Sequence, residues 1–222
     1  MDRKRLGLAS HYLKGRGLEI GALHNPLSVP ADTTVRYVDR MSREALYTHY
    51  PELRSDELIE PDVIANGEAL EGFANESEDF IIANHFLEHT QDPIDTLKNF
   101  ARVLRPGGIL YLALPDKNAT FDRDRELTTF EHLARDHDEG PQHSRHDHFV
   151  EWVRLKEKCD EEKIDERVRH LEKVDYSIHF HVWDPLTFLS FLARAIPAYN
   201  LPVEIVALLT DREEFIVILR RR

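Results

Sequence analysis

This chain lacks the features that several protein classes require. Among its 222 residues Cys159 is the single cysteine, which excludes an internal disulfide and suits a reducing compartment. No stretch approaches the roughly 18 to 20 consecutive apolar residues of a membrane span. The N-terminal sequence MDRKRLGLASHYLKGRG contains no apolar run long enough for a signal peptide. We therefore expect a cytoplasmic protein without a membrane partner.

Basic residues are scarce relative to acidic ones. Lys and Arg total 29 against 41 Asp and Glu, which gives a formal net charge of −12. Because contacts to phosphates need clustered Lys and Arg, this balance argues against nucleic acid as a partner. We expect a small-molecule ligand instead, and a homodimer remains an open alternative to a monomer.

The length allows one good core with an elaboration rather than two full domains. Between residues 18 and 115, apolar strand-like runs alternate with helical patterns, which predicts right-handed βαβ units around a parallel sheet. Two β-rich runs near the end, residues 203–209 and 215–219, have a hairpin spacing. We predict one α/β domain with a Rossmann-like sheet, mostly parallel, that ends in an antiparallel hairpin.

The predicted domain, residues 1–222, has three parts. Residues 1–115 would form the cofactor-binding half, and residues 185–222 would supply a final helix and the hairpin. Between them, residues 116–184 form an insertion after the fifth strand that is too polar to be core and contains a helical stretch from about 147 to 173. The insertion also holds eight of the 13 histidines, so we expect it to bind an acceptor substrate.

In open α/β sheets, ligands bind outside the carboxyl ends of the strands, where the strand order reverses. A glycine directly after the first strand lets the backbone approach a ligand, and an acid after the second can accept both hydroxyls of a ribose. The run LEIGA, residues 18–22, lacks the later glycines of a dinucleotide fingerprint, which argues against NAD. The candidate cofactor-binding residues at this edge are Glu19, Gly21, Asp39, Asn66, Gly67 and Asn84.

The order of these motifs resembles that of the class I SAM-dependent methyltransferases, particularly the type-11 group. Residues 18–22 are similar to the family's first motif, residues 66–70 to its adenine segment, and residues 79–89 and 104–108 to its next two motifs. The resemblance implies that S-adenosylmethionine (SAM) is the cofactor. It also implies that Gly21 contacts the methionine part, Asp39 the ribose, and Asn66 with Gly67 the adenine.

Two departures from the family pattern have structural consequences. Residues 23–27, LHNPL, stand where most members begin a helix, so we expect that helix to be missing or displaced. Asn66 stands where an aspartate is common. Its amide oxygen can still accept a hydrogen bond from the adenine amino group, so we expect weaker but workable recognition.

Methyl transfer from a sulfonium is an in-line displacement, so the acceptor must be aligned and usually deprotonated. A positioned general base contributes on the order of 10²–10⁴-fold, and a divalent cation lowers the pKa of a bound oxygen. Residues 85–89, HFLEH, can serve both purposes after the fourth strand. We assign catalysis to this segment and to two histidines of the insertion, namely His85, Glu88, His146 and His148.

A similar Glu-x-x-Glu-His segment binds a divalent metal in the ubiquinone-biosynthesis and small-RNA O-methyltransferases. That resemblance implies a Mg²⁺ ion, or another divalent metal, held by Glu88, His89 and Asp116. Here His85 stands in place of the first acid, which makes the ligand set softer. The alternative interpretation is that these residues only pack beside the cofactor.

The insertion suits a saccharide, since hydroxyls need paired donors and acceptors and an aromatic plane covers a sugar ring. Arg and Asp alternate over residues 121–125. Residues 179–183 alternate as a strand would, which predicts that one face lines the pocket; the alternative is a half-buried edge strand. The segments resemble methyltransferase domains of bacterial glycan biosynthesis, in particular of methylmannose polysaccharide synthesis. The resemblance implies O-methylation of a saccharide hydroxyl, such as the 1-OH of a methylated mannoside. The candidate acceptor contacts are Asp116, Arg123, Arg125, His146 and Trp183.

Two alternatives stay open. One is methylation of a different small molecule, such as a phenol or a carboxylate. The other is a SAM-binding protein without turnover. Clustered histidines and acids beside the expected methyl position favour an enzyme.

Overall fold

The computed structural model describes residues 3–222, so the first two residues of the predicted cofactor-binding half lie outside it. The strands are β1 (Arg16–Ile20), β2 (Thr34–Asp39), β3 (Val63–Ile64), β4 (Glu78–Asn84), β5 (Leu104–Pro115), β6 (Val203–Asp211) and β7 (Glu214–Arg221). The α-helices are α1 (Arg3–Tyr12), α2 (Arg43–His49), α3 (Pro93–Val103), α4 (Phe130–Glu139), α5 (Gln142–Glu151), α6 (Ile164–Lys173) and α7 (Pro185–Ala198). Within residues 3–222, no helix is both long and apolar enough to cross a membrane.

The seven strands form one sheet in the order β3-β2-β1-β4-β5-β7-β6. Strands β1 to β5 pair in parallel, whereas β7 runs antiparallel to both β5 and β6. This arrangement confirms the predicted Rossmann-like sheet with a C-terminal antiparallel hairpin. The strand order reverses between β1 and β4, so their carboxyl ends frame the crevice where such sheets bind ligands.

The central strands are covered on both faces, which explains their nearly continuous apolar sequences. On one face Ile81 and Ala83 of β4 belong to a core that includes residues of α3 and α7. On the other face Phe80 and Ile82 belong to a second core with Ala9 and neighbouring residues of α1. This burial fixes the sheet firmly, so the loops at its edge have a rigid base.

Helix α3 begins as its sequence predicts. Asp92 is the N-cap, its side chain accepts a hydrogen bond from the backbone N–H of Asp95 at 2.9 Å, and Pro93 occupies the first turn. The helix ends at Val103, and residues 104–108 already belong to β5, because Leu104 pairs with Glu78 at the start of β4.

Strand β1 is followed by a loop. Within residues 21–33 the structure contains turns but no helix, which confirms the expectation drawn from LHNPL. Glu19 stabilises this loop, because its Oε1 accepts a hydrogen bond from the backbone N–H of Leu27 at 2.8 Å. The carboxyl end of β1 is therefore bordered by irregular backbone.

The insertion differs from its prediction in two respects. The stretch from 147 to 173 is not one helix, because α5 continues only as a π-helical turn (Trp152–Lys156) and α6 begins at Ile164. Lys158, at φ 53°, reverses the chain between them. Residues 179–183 form no strand and are buried on both sides rather than alternately. The insertion folds around its own apolar cluster, which includes Phe149, Val168 and Phe180.

Candidate functional site

Two glycines shape the cofactor edge of the sheet. Gly21 has a φ of 64°, which favours glycine, and its N–H donates to the carbonyl of Val38 at 2.9 Å. A Cβ on Gly67 would lie 2.5 Å from Ile20 Cγ2 and 2.9 Å from Phe86 Cζ. Both positions therefore require glycine, Gly21 for its backbone angle and Gly67 because neighbouring side chains pack against it.

Asp39 and Asn66 follow β2 and β3 at the same edge. Asp39 Oδ1 accepts a hydrogen bond from the N–H of Arg40 at 2.7 Å, and burial raises the pKa of its carboxyl group. Asn66 is exposed, and its Oδ1 accepts from the N–H of Glu68 at 2.9 Å. A carbonyl oxygen has two lone pairs, so Asn66 can accept one further hydrogen bond.

Asn84 ends β4 beside the point where the strand order reverses. Both atoms of its side-chain amide are buried, and neither forms a hydrogen bond within the described part of the chain. Such groups are rare in folded proteins because losing hydration without a partner costs about 1–3 kcal/mol. Asn84 is therefore the polar side chain of this edge that most requires a ligand.

Glu19 differs from the other candidates. It is 1% exposed, and one carboxylate oxygen holds the loop at Leu27. Burial raises the pKa of Glu19 to about 7, although that hydrogen bond and the charge of Arg5 act in the opposite direction. Glu19 supports the loop that borders the crevice.

His85 follows Asn84 with a φ of 49°, an unusual conformation for a residue other than glycine and one often found at functional sites. Its Nε2 lies 2.9 Å from Glu214 Oε2, and its Nδ1 lies 3.5 Å from Glu88 Oε1. Burial opposes its charge, but the hydrogen bond to Glu214 and the nearby negative charge of Glu88 raise the pKa of His85 to about 9. His85 is therefore cationic near neutral pH and is unsuited to act as a general base.

Glu88, His89 and His179 bring one potential ligand atom each to within 4.8 Å of one another. Glu88 is fully buried, and neither of its carboxylate oxygens has a hydrogen bond. Burial would raise the pKa of Glu88, but the adjacent His85 has the stronger opposite effect and lowers it, so the group is a carboxylate. Burial also lowers the pKa of His89 to about 4, which makes that ring neutral.

The imidazole rings of His89 and His179 are each oriented by a hydrogen bond at Nδ1. His89 Nδ1 lies 2.9 Å from the carbonyl oxygen of Ile178, and His179 Nδ1 lies 2.6 Å from Asp122 Oδ2. Each ring therefore has its Nε2 available on the other side. This arrangement is typical of histidines that bind a metal or accept a proton.

The sequence-based assignment missed His179 and Asp122 as site residues. The signal for His179 was the alternation over residues 179–183, which suggested that one face would border a pocket. Asp122 gave no separate signal, because it lies within a charged run that resembles a solvated surface. It is in fact 1% exposed, since it pairs with His179 and Arg125.

A cleft of about 1330 Å³ opens beside this group. His85 and His179 line one part of it, and Phe121, Arg123 and Asp124 of the insertion line another. Phe121 is 49% exposed, and its ring centroid lies 4.9 Å from that of His179. The cleft thus lies between residues of the insertion and His85, which directly follows β4, whereas the predicted cofactor-binding residues are not among its lining residues.

Three predicted contacts need correction. Arg125 is 1% exposed and forms hydrogen bonds with Asp122 and Glu151, so it lies inside the protein instead of in the cleft. Trp183 is 2% exposed within the core, so it cannot cover a sugar ring. Asp116 is not part of the group around Glu88, because it caps the turn at Lys117–Ala119 through Asn118.

The two predicted basic histidines of α5 also lie elsewhere. His146 is exposed and pairs with Glu172 at 3.0 Å on the outer face of the helix. His148 Nε2 lies 3.0 Å from His132 Nε2 in a different buried group. Neither histidine lines the cleft, so the structure does not bring either to the predicted reaction site.

This chain matches one protein-family model and is similar to several solved structures. A family model described as a methyltransferase domain matches residues 13–156. Among curated proteins, none matches this chain. Solved structures with a similar fold include a SAM-dependent methyltransferase from Aquifex aeolicus, with 11% identity and a TM-score of 0.48 over 94% of this chain and 82% of that one. Another, from Methanosarcina mazei, has 18% identity and a TM-score of 0.48, and 95% of each chain is covered.

Proposed function

Because this chain belongs to the methyltransferase-domain family, whose model matches residues 13–156, we propose that it transfers the methyl group of SAM to a hydroxyl of a saccharide. SAM is the cofactor of the family and supplies an electrophilic methyl group on a sulfonium. The observation that carries the proposal is the His179–Asp122 pair beside Glu88, at the wall of a cleft that the insertion completes.

The strand edge fits SAM. The buried amide of Asn84 offers a donor and an acceptor without partners, which suits the polar amino-acid part of the cofactor. Gly21 keeps the turn after β1 free of a side chain, and Asp39 after β2 is the acceptor suited to a ribose. Asn66 and Gly67 stand next along the same edge, where the family motif implies the adenine. These four elements support the same cofactor orientation.

An alcohol loses its proton only at high pH, so the acceptor needs a base. His179 is the group suited to that task, because Asp122 holds the hydrogen on Nδ1 and leaves the lone pair of Nε2 available. His85 is excluded from this role by its pKa of about 9, but as a cation it holds Glu88 in place. A base in this position contributes on the order of 10²–10⁴-fold.

The same three side chains fit a divalent cation. Glu88 offers two carboxylate oxygens that have no hydrogen bond within residues 3–222. His89 and His179 offer Nε2 atoms, because the Nδ1 of each ring already contacts an oxygen. Three protein ligands leave coordination positions open, as catalytic sites do, and a cation there would lower the pKa of an acceptor hydroxyl. Mg²⁺ prefers oxygen ligands, so the two imidazoles make Mn²⁺ or Zn²⁺ competitors.

A saccharide suits the far wall of the cleft. Phe121 offers a half-exposed ring for the apolar face of a sugar. Arg123 and Asp124 provide a donor and an acceptor on adjacent positions, which is the pairing that vicinal hydroxyls need. Among saccharides, the 1-OH of a methylated mannoside is the acceptor that the sequence resemblance favours.

The test is release of S-adenosylhomocysteine by the purified protein with separate panels of glycans, phenols and carboxylic acids. We expect turnover with glycans, and methylated mannosides should be the best substrates. Turnover restricted to phenols or acids would replace the saccharide by those acceptors. SAM binding without turnover on any panel would assign a non-catalytic role. Parallel assays in EDTA decide between a required cation and His179 acting alone.

A further inference from the structure

A second group of histidines and one carboxylate lies within the insertion, apart from the group at Glu88. His132 and Asp136 are one turn apart on α4, His148 comes from α5, and His181 lies two residues beyond His179. One potential ligand atom from each lies within 4.8 Å of the other three. Asp136 and His181 are 0% and 1% exposed. The group is therefore an interior feature that joins three separate segments.

Hydrogen bonds among these four side chains cannot provide a partner for every polar atom of the group. His132 Nε2 lies 3.0 Å from His148 Nε2 and also 3.0 Å from Asp136 Oδ2. One imidazole nitrogen carries at most one hydrogen, so it can donate to only one of these neighbours. Asp136 Oδ2 and His181 Nδ1 are both buried without a hydrogen bond. At least one of the two 3.0 Å contacts of His132 Nε2 therefore joins atoms that have no hydrogen bond between them.

Asp136 and His181 also form hydrogen bonds with residues outside the group. Asp136 Oδ1 accepts a hydrogen bond from Ser144 Oγ at 2.7 Å. His181 Nε2 lies 3.4 Å from the carbonyl oxygen of Gln91, which places the ring hydrogen on that side and the lone pair on Nδ1. Metal-binding histidines show the same outer hydrogen bonds to carbonyls or carboxylates.

We propose that His132, Asp136, His148 and His181 bind one Zn²⁺ ion in a closed tetrahedral site that fastens α4 and α5 to the segment around His181. Three imidazole nitrogens and one carboxylate oxygen are ligands typical of Zn²⁺. Tetrahedral Zn²⁺ with bonds of about 2.0–2.1 Å separates its ligand atoms by about 3.3 Å, close to the 3.0 Å distances within this group. Four protein ligands leave no open position, so the ion has a structural role.

The proposed ion would fix the segment of the insertion that lies against Glu88. The backbone N–H of His181 donates to the carbonyl oxygen of Glu88 at 3.2 Å, and that of Phe180 donates to the same oxygen at 2.8 Å. An ion bound to His181 therefore fixes the segment that also carries His179. This site does not depend on which acceptor is methylated.

The test compares zinc binding by the folded wild-type protein with two variants. After removal of metals, the wild type should bind one equivalent of Zn²⁺ tightly, with a rise in Tm. His148→Gln should weaken this binding by more than the roughly 10–100-fold that loss of an outer partner costs. His89→Gln, in the group at Glu88, should retain the tight ion. His146→Gln, two residues before His148 on the exposed face of α5, is the matched control.

Cobalt provides a readout that does not depend on the variants. Co²⁺ bound to the wild-type protein should give the intense visible absorption of a tetrahedral site without a thiolate band, and Zn²⁺ should displace it. Failure of the wild type to bind Zn²⁺, an octahedral cobalt spectrum, or loss of the tight ion in His89→Gln but not in His148→Gln would each overturn the proposal. If the wild type binds a second ion more weakly, His148→Gln should still bind that weaker ion, and this result would support the proposal.

Discussion

At the sheet edge, Gly21, Asp39 and Asn84 each stand at the carboxyl end of a strand. On the acceptor side, His179 pairs with Asp122, 57 positions earlier in the chain, and α4, α5 and α6 lie between the two residues. The strand ends are placed by a sheet buried on both faces. The acceptor side is placed by contacts between side chains. The difference suggests that changes at the strand edge should alter ligand binding locally, whereas changes in the insertion should act through buried charges and affect folding as well.

The largest effect is expected at Glu88, where the two regions meet. Glu88→Gln keeps the shape of the side chain but removes the negative charge between His85 and His179. Turnover should fall on the order of 10²–10⁴-fold, with SAM affinity preserved in calorimetry. Glu60→Gln, an exposed glutamate paired with Arg43, is the matched control. Equal losses of turnover and SAM affinity would mean that Glu88 only packs beside the cofactor.

The next prediction distinguishes Arg123 from Arg125, which the sequence analysis assigned to the same acceptor site. Arg125→Ala leaves Asp122 buried without its cationic partner, so the free energy of unfolding should fall by about 3–5 kcal/mol. Arg123→Ala removes an exposed side chain that lines the cleft, so it should raise the KM for the acceptor with little change in Tm. Denaturant unfolding and acceptor kinetics check both variants. Destabilisation of equal size in both would remove the distinction between a cleft residue and a buried one.

These arginines show where sequence-based prediction succeeds and where it does not. Strand order, the cap at Asp92 and the positions of Gly21 and Asp39 follow from local patterns, because apolar runs and turn residues determine them over a few positions. Arg125 and Trp183 were assigned to the acceptor site because charged and aromatic residues usually suggest binding. Their burial depends on partners such as Glu151, which lies 26 positions away from Arg125, and no short pattern encodes such a pairing.

The histidines show the same limit more strongly. Their concentration in the insertion was visible in the sequence, and it correctly drew attention to that segment. Which histidines converge depends on how α4 and α5 pack against residues 176–184. His146 and His148 are two positions apart on one helix, yet one is exposed and the other lies in the proposed zinc site. Spacing along the chain alone does not assign a role to either of them.

A third prediction concerns the loop after β1. The pKa of Glu19 in the folded protein is about 7, above its ordinary value of 4.5, so the folded state binds a proton more tightly than the unfolded chain does. The contribution of Glu19 to stability is therefore present at low pH and is lost as the pH rises from about 4.5 to 7. At about 1.4 kcal/mol per pKa unit, the full loss is about 3 kcal/mol.

Glu19→Gln should remove this loss, because the amide does not titrate and its oxygen can still accept from Leu27. Unfolding in urea should show that the variant gains stability relative to the wild type between about pH 5 and about pH 8. Glu60→Gln again serves as a control with an exposed side chain. A constant difference between Glu19→Gln and the wild type across this range would show that Glu19 is ionised in the folded protein.

The smallest effect is expected at Asp39, and it tests whether the strand edge acts as a local binding surface. Asp39→Ala removes the acceptor proposed for the ribose hydroxyls, and hydrogen bonds to a charged group contribute about 1.5–3 kcal/mol. The Kd for SAM should therefore rise by about 10- to 150-fold, with little change in Tm, because the side chain accepts hydrogen bonds from the next two residues of its own loop, Arg40 and Met41. Asp32→Ala, in the exposed part of the preceding loop, is the control. If SAM affinity were unchanged, the ribose would be held elsewhere on this edge, whereas a large fall in Tm would show that the strand ends depend on their side chains as the insertion does.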